Sequence, residues 1–136
     1  MKIYTSRYGN KEIAQTNLIP VGISLYPPRW ETAFKVKYRI KELAPTRNML
    51  DMEYEPYKTL YIQKLNTLDI NQLEERFKVI LGEKCKDIVL LCFEDLTKPG
   101  EWCHRCVFAE WWQNKTGQKI NELNLQKAIN HNIKML

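Results

Sequence analysis

The chain has no apolar run able to cross a bilayer: its longest, Ile88-Val89-Leu90-Leu91-Cys92-Phe93, falls far short of the ~20 residues a spanning helix needs. No leader-like segment opens it either, since Met1 runs straight into the strand-like Lys2-Ile3-Tyr4-Thr5. The expectation is a protein without signal peptide or membrane partner, located in the cytoplasm. Cysteine is scarce: Cys85, Cys92, Cys103 and Cys106 are too few and too unevenly placed for a disulfide framework in such a chain, and are read as thiols. Internal repeats, low-complexity tracts and dense basic blocks are also missing. What remains is 136 residues, 44% hydrophobic and 27% charged, which describes one globular domain over 1–136 with room for a real core.

The formal charge of +5 favours anionic partners. Lysines are spread along the chain as a solvated surface, whereas Arg7, Arg29, Arg47 and Arg105 fall in predicted loops or at element ends. There a planar guanidinium can grip a phosphate or carboxylate, or can pair with a neighbouring acid.

Hydrophobic patterning predicts strands at residues 3–5, 21–26 and 88–93, and a short edge strand at 119–121. The unbroken apolar stretch 88–93 suits a central parallel strand covered on both sides. Tyr57, Leu60, Tyr61, Lys64, Leu65 and Leu68 recur at helical spacing, and Asp69 with Gln72 signals a capped helix that Gly82 stops. Further helices are expected at 35–43, at 103–115 before Gly117, and at 123–133. The predicted fold is α/β: one compact domain, a mainly parallel sheet with Rossmann-like layering, and helices on both faces.

In such sheets ligands bind beyond the carboxyl ends of the strands. Three ends carry chemistry here: Ser6-Arg7, Pro27-Pro28-Arg29-Trp30 and Cys92-Phe93-Glu94. Close behind the last comes Cys103-His104-Arg105-Cys106 at a helix start, where free N–H groups and the dipole favour anions and thiolate. Cys103 and Glu94 are therefore the candidate nucleophile and acid–base group, with His104 beside them. Arg105, Arg29, Arg7, Trp30 and Cys92 are the candidate ligand-binding residues.

Leu91-Cys92-Phe93-Glu94, Trp102-Cys103-His104-Arg105, Ala109-Glu110-Trp111-Trp112 and Gly117 ahead of Asn121-Glu122-Leu123 resemble the domain of unknown function 488 family, the YeaO-like proteins. Its hallmark is an apolar strand ending in Cys-x-Glu, followed by Cys-His-Arg opening a helix. Ser24-Leu25-Tyr26-Pro27-Pro28-Arg29-Trp30 and Leu43-Ala44-Pro45 are similar to its second strand and the loop after it. The resemblance implies a compact α/β domain with a cleft built from Arg29, Cys92, Glu94, Cys103, His104 and Arg105. Cys106 stands outside the family pattern, and the family brings no settled reaction.

Several chemistries compete for these residues. A thioredoxin-type Cys103-x-x-Cys106 is set aside because the last proline, Pro99, precedes the motif. Zinc on Cys92, Cys103, His104 and Cys106 is set aside because adjacent side chains are expected to diverge, so neither a metal nor another cofactor is expected. Trp30 and Trp102 could stack bases, which leaves nucleic acid as a partner. A patch of Tyr57, Phe108 and Trp112 would fit a protein-binding module if it were exposed. The reading that unites most features is a cleft for a small anionic, nucleotide-like ligand, with Cys103 free and a Cys/Glu/Arg cluster able to act on it. Whether the chain is an enzyme or a binding module stays open on sequence alone.

Overall fold

The computed structural model describes residues 1–83, 86–98 and 100–123. Five parallel strands form one sheet: β1 Ile3–Arg7, β2 Ile19–Gly22, β3 Tyr38–Arg39, β4 Ile88–Cys92 and β5 Asn121–Glu122, in the order β3-β2-β4-β1-β5. As expected, the apolar stretch is the central strand, with every residue of β4 buried and a strand paired on each side. Its side chains alternate between two cores: Ile88 and Leu90 point to one, Val89 and Leu91 to the other.

The larger core is closed by α1 Tyr54–Leu65, α2 Ile70–Leu81 and α3 His104–Thr116. The smaller is covered by a 3-10 turn at Lys11–Gln15, which supplies Ile13, and by Leu18, Phe34, Val36 and Leu123. Among the described residues, then, α-helices line one face and a 3-10 turn with loops covers the other, instead of α-helices on both. The helix expected at 123–133 lies outside the described residues beyond Leu123. The link from β1 to β2 moves across the sheet over the smaller core, while the links into β4 and β5 move the opposite way over the larger. Opposite directions over opposite faces give these crossovers the same hand.

Local signals explain the helix limits. Asp69 accepts a hydrogen bond from the Gln72 N–H at 3.1 Å, and α2 stops at Gly82 with φ 58°. α3 begins after Cys103, in extended conformation, and ends at Gly117 with φ 78°. α1 starts three residues before the expected Tyr57, because Pro56 fits the first turn, where its missing N–H costs nothing. Residues 35–43 depart from the expected helix: they form β3 and then a 3-10 turn at Lys41–Leu43. Phe34, Val36, Tyr38 and Ile40 alternate with basic residues at period two, a strand pattern that outweighs the helix formers around them. The second strand also ends early, at Gly22, so residues 23–26 form a loop at the sheet's carboxyl edge.

Candidate functional site

All five strands being parallel, their carboxyl ends share one edge of the sheet, and α3 starts against that edge. Between them lies a cavity of about 370 Å³. Cys92, Phe93 and Glu94 line it from the end of β4, Glu101, Trp102, Cys103 and His104 from the start of α3, and Ser24, Leu25 and Tyr26 from the loop after β2. Tyr57 of α1 also borders it, and Trp102 packs edge-on against the Tyr57 ring at 4.7 Å.

Cys92 and Cys103 are joined in a disulfide, with Cα atoms 7.5 Å apart. This corrects the expectation that Cys103 is free. It also changes the partner in the redox reading, since Cys106 is an exposed free thiol and Cys103 bonds to Cys92 instead. Both bonded cysteines are buried at the cavity wall.

His104 is buried beside them. Its Nε2 lies 2.7 Å from the Ile23 carbonyl oxygen, and a carbonyl only accepts, so Nε2 carries the hydrogen. Nδ1 of the neutral ring is then an acceptor, and it faces the Cys103 sulfur at 3.5 Å. Burial, reinforced by the nearby charges of Arg105 and Lys64, lowers the His104 pKa to about 4 and keeps the ring neutral. The expected divergence of adjacent side chains is therefore overturned: the donor atoms of Cys92, Cys103 and His104 all lie within 4.8 Å of one another.

Arg105 turns the other way, is fully buried, and spends its donors on protein. Nε and Nη2 bond the two oxygens of Glu122 at 2.9 and 2.8 Å, Nη2 also reaches the Glu94 main-chain carbonyl at 2.9 Å, and Nη1 donates to the Cys92 sulfur at 2.9 Å. This is a structural ion pair, made with Glu122 and not with the Glu94 carboxylate. Glu94 lines the cavity, and its carboxylate makes no hydrogen bond or ion pair among the described residues. Burial first, and that carboxylate second, raise the pKa of Tyr57.

The other candidates lie outside the cavity wall. Arg29 is exposed, Arg7 pairs loosely with Asp95 at 3.8 Å, and exposed Trp30 packs against Phe93 at 5.8 Å. Among the described residues the wall thus has two carboxylates and no arginine or lysine, so the arginines expected to hold an anion do not converge on it. Tyr57, Phe108 and Trp112 are core residues, which removes the protein-binding patch drawn from them. Sequence reasoning gave no role to Glu122, Glu101 or the Ile23 carbonyl; of these only Glu122 had a signal, its place in the family-like Asn121-Glu122-Leu123, one residue beyond the edge strand expected at 119–121 and observed at Asn121–Glu122.

No protein-family model matches this chain, and comparison with curated proteins and with solved structures returns no match.

Proposed function

We propose that the carboxyl-edge cleft binds a small ligand and works by thiol–disulfide exchange through Cys92 and Cys103. The observation that carries this reading is the bond between these two cysteines at the wall of a cavity. In the exchange, a thiolate of a low-molecular-weight thiol attacks the Cys103 sulfur and the S–S bond breaks. Cys92 leaves as thiolate, the form that the Arg105 N–H at 2.9 Å favours. A second thiol then attacks the mixed disulfide, releasing the oxidised small molecule. Cys103 and Cys92 each end with a proton, and the Cys103 thiol can donate to Nδ1 of His104. Two small thiols thereby become one disulfide, and the protein disulfide becomes two thiols.

The aromatic and acidic wall suits a neutral or cationic ligand better than an anion. An anionic, nucleotide-like ligand is a second reading, favoured by the N-terminal residues of α3 at the cavity. The deciding experiment equilibrates the protein in buffers of the cationic thiol cysteamine and its disulfide cystamine at graded redox state, followed by alkylation and peptide mapping. Cys92 and Cys103 should gain and lose label together and reversibly, with Cys106 labelled throughout. A pair that stays bonded, or stays free, across the whole range overturns the proposal. A thermal-shift screen of nucleotides tests the second reading, and no stabilisation by any of them removes it.

A further inference from the structure

We propose that, once the disulfide is reduced, Cys92, Cys103 and His104 form a three-ligand zinc site whose fourth position opens onto the cavity. The argument begins with the imidazole. A histidine that binds metal through one ring nitrogen characteristically donates its other N–H to a carbonyl or carboxylate, which fixes ring and tautomer. His104 already has that arrangement: Nε2–H is anchored on the Ile23 carbonyl at 2.7 Å, and the ring stands edge-on to Tyr61 at 5.5 Å. The Nδ1 lone pair is left aimed at the sulfurs.

The spacing fits as well. With Zn–S of about 2.3 Å and Zn–N of about 2.0 Å, two tetrahedral ligands sit roughly 3.5 Å apart. The separation of Cys103 Sγ from His104 Nδ1 is 3.5 Å. Cα atoms 7.5 Å apart leave the two sulfurs room to separate around an ion once they are no longer bonded to each other. Two thiolates and one imidazole are a soft set that suits zinc over magnesium or calcium. With three protein ligands and Glu94, Glu101, Tyr26 and Tyr57 around the remaining opening, the site has the form of catalytic zinc centres, which keep one position for water or substrate.

The chemistry balances simply. A water-soluble phosphine and one water convert the disulfide to two thiols and the phosphine oxide. Zinc then displaces the two thiol protons and binds two thiolates. Because the site belongs to the reduced protein, it goes beyond the exchange reading and is tested without any exchange partner.

The experiment titrates phosphine-reduced protein with Co2+, then competes with Zn2+. One equivalent of cobalt should give sulfur-to-cobalt charge transfer and the visible bands of a tetrahedral ion, both erased by zinc. Cys92→Ser, Cys103→Ser and His104→Gln should each weaken binding by at least the ~10–100-fold that loss of an outer-shell partner already causes, whereas Cys106→Ser should change nothing. X-ray absorption of zinc-loaded wild type, which depends on no variant folding, should count two sulfurs and one imidazole. Absence of the tetrahedral spectrum in reduced, folded protein overturns the site, as does a sulfur count other than two or a loss of binding in Cys106→Ser.

Discussion

His104 and Arg105 are neighbours in the first turn of α3, both buried, and they have opposite fates. Arg105 reaches toward β5 and the end of β4, where Glu122, the Glu94 carbonyl and the Cys92 sulfur take up its donors. His104 reaches toward the end of β2, where one carbonyl takes its N–H and its other nitrogen faces two sulfurs and a cavity. A charge whose bonds are complete holds the start of the helix in place, and a neutral ring with a free lone pair is what chemistry can use. Two adjacent polar residues thus divide into a support and a tool, according to how many of their bonds the fold has already filled.

The largest effect should come from breaking the support. Arg105 is 0% exposed but the Glu122 side chain is 38% exposed, so the two ends of the pair are not equivalent. Glu122→Ala leaves a buried guanidinium that cannot lose its proton, and should cost about 3–5 kcal/mol in urea unfolding. Arg105→Met leaves a carboxylate that water can reach, and should cost less, roughly 1–3 kcal/mol. Equal costs, or the reverse order, would show that Arg105 is not held by this pair.

The tool should show itself through pH. The His104 pKa is depressed to about 4 from 6.5, so between those values the unfolded chain binds a proton that the folded protein refuses. Stability therefore rises with pH across that window: the contribution is complete above pH 6.5 and is lost as pH falls toward 4, amounting to roughly 3 kcal/mol. Arg105 and Lys64 oppose protonation of the ring, and only the Ile23 carbonyl favours it. Denaturant midpoints measured from pH 4 to 7 on the disulfide form should show this slope, and His104→Gln should flatten it. A slope unchanged in that variant would assign the window to other groups.

How much of this could be read in advance depended on whether the cause was local. The central strand at 88–93, the Asp69 cap and the Gly117 stop are local features, and each lies where patterning places it. The stretch at 35–43 was also written locally, but its alternation Phe34, Val36, Tyr38, Ile40 competes with lysines and a leucine that favour helix, and strand pairing decided the contest. Of the expected site residues, Cys92, Glu94, Cys103 and His104 line one cavity while Arg7, Arg29, Trp30 and Arg105 do not, and none of the bonds they make was legible. Cys103 finds Cys92 eleven residues back, and Arg105 finds Glu122 seventeen residues on. Those partners are chosen by the register of β1, β4 and β5, which no spacing in the chain reveals.

The smallest effect tests whether the support is a network or one bond. The Thr5 hydroxyl donates to Oε1 of Glu122 at 2.8 Å, the same oxygen that Arg105 Nε reaches at 2.9 Å. Thr5→Val keeps the shape of this buried position and removes the donor, so it should cost about 1 kcal/mol. If Thr5 acts by holding the carboxylate in place for Arg105, that cost should shrink in an Arg105→Met background, where Glu122 is free to turn to water. A double-mutant cycle should then give a coupling of at least ~0.5 kcal/mol. Additivity within ~0.3 kcal/mol would mean that the two residues act independently, and that the guanidinium holds Glu122 without help from β1. Thr5 bonds neither His104 nor the two sulfurs, so cobalt binding by the reduced Thr5→Val protein should match wild type, and a weakened spectrum would mean that support and tool are not separate.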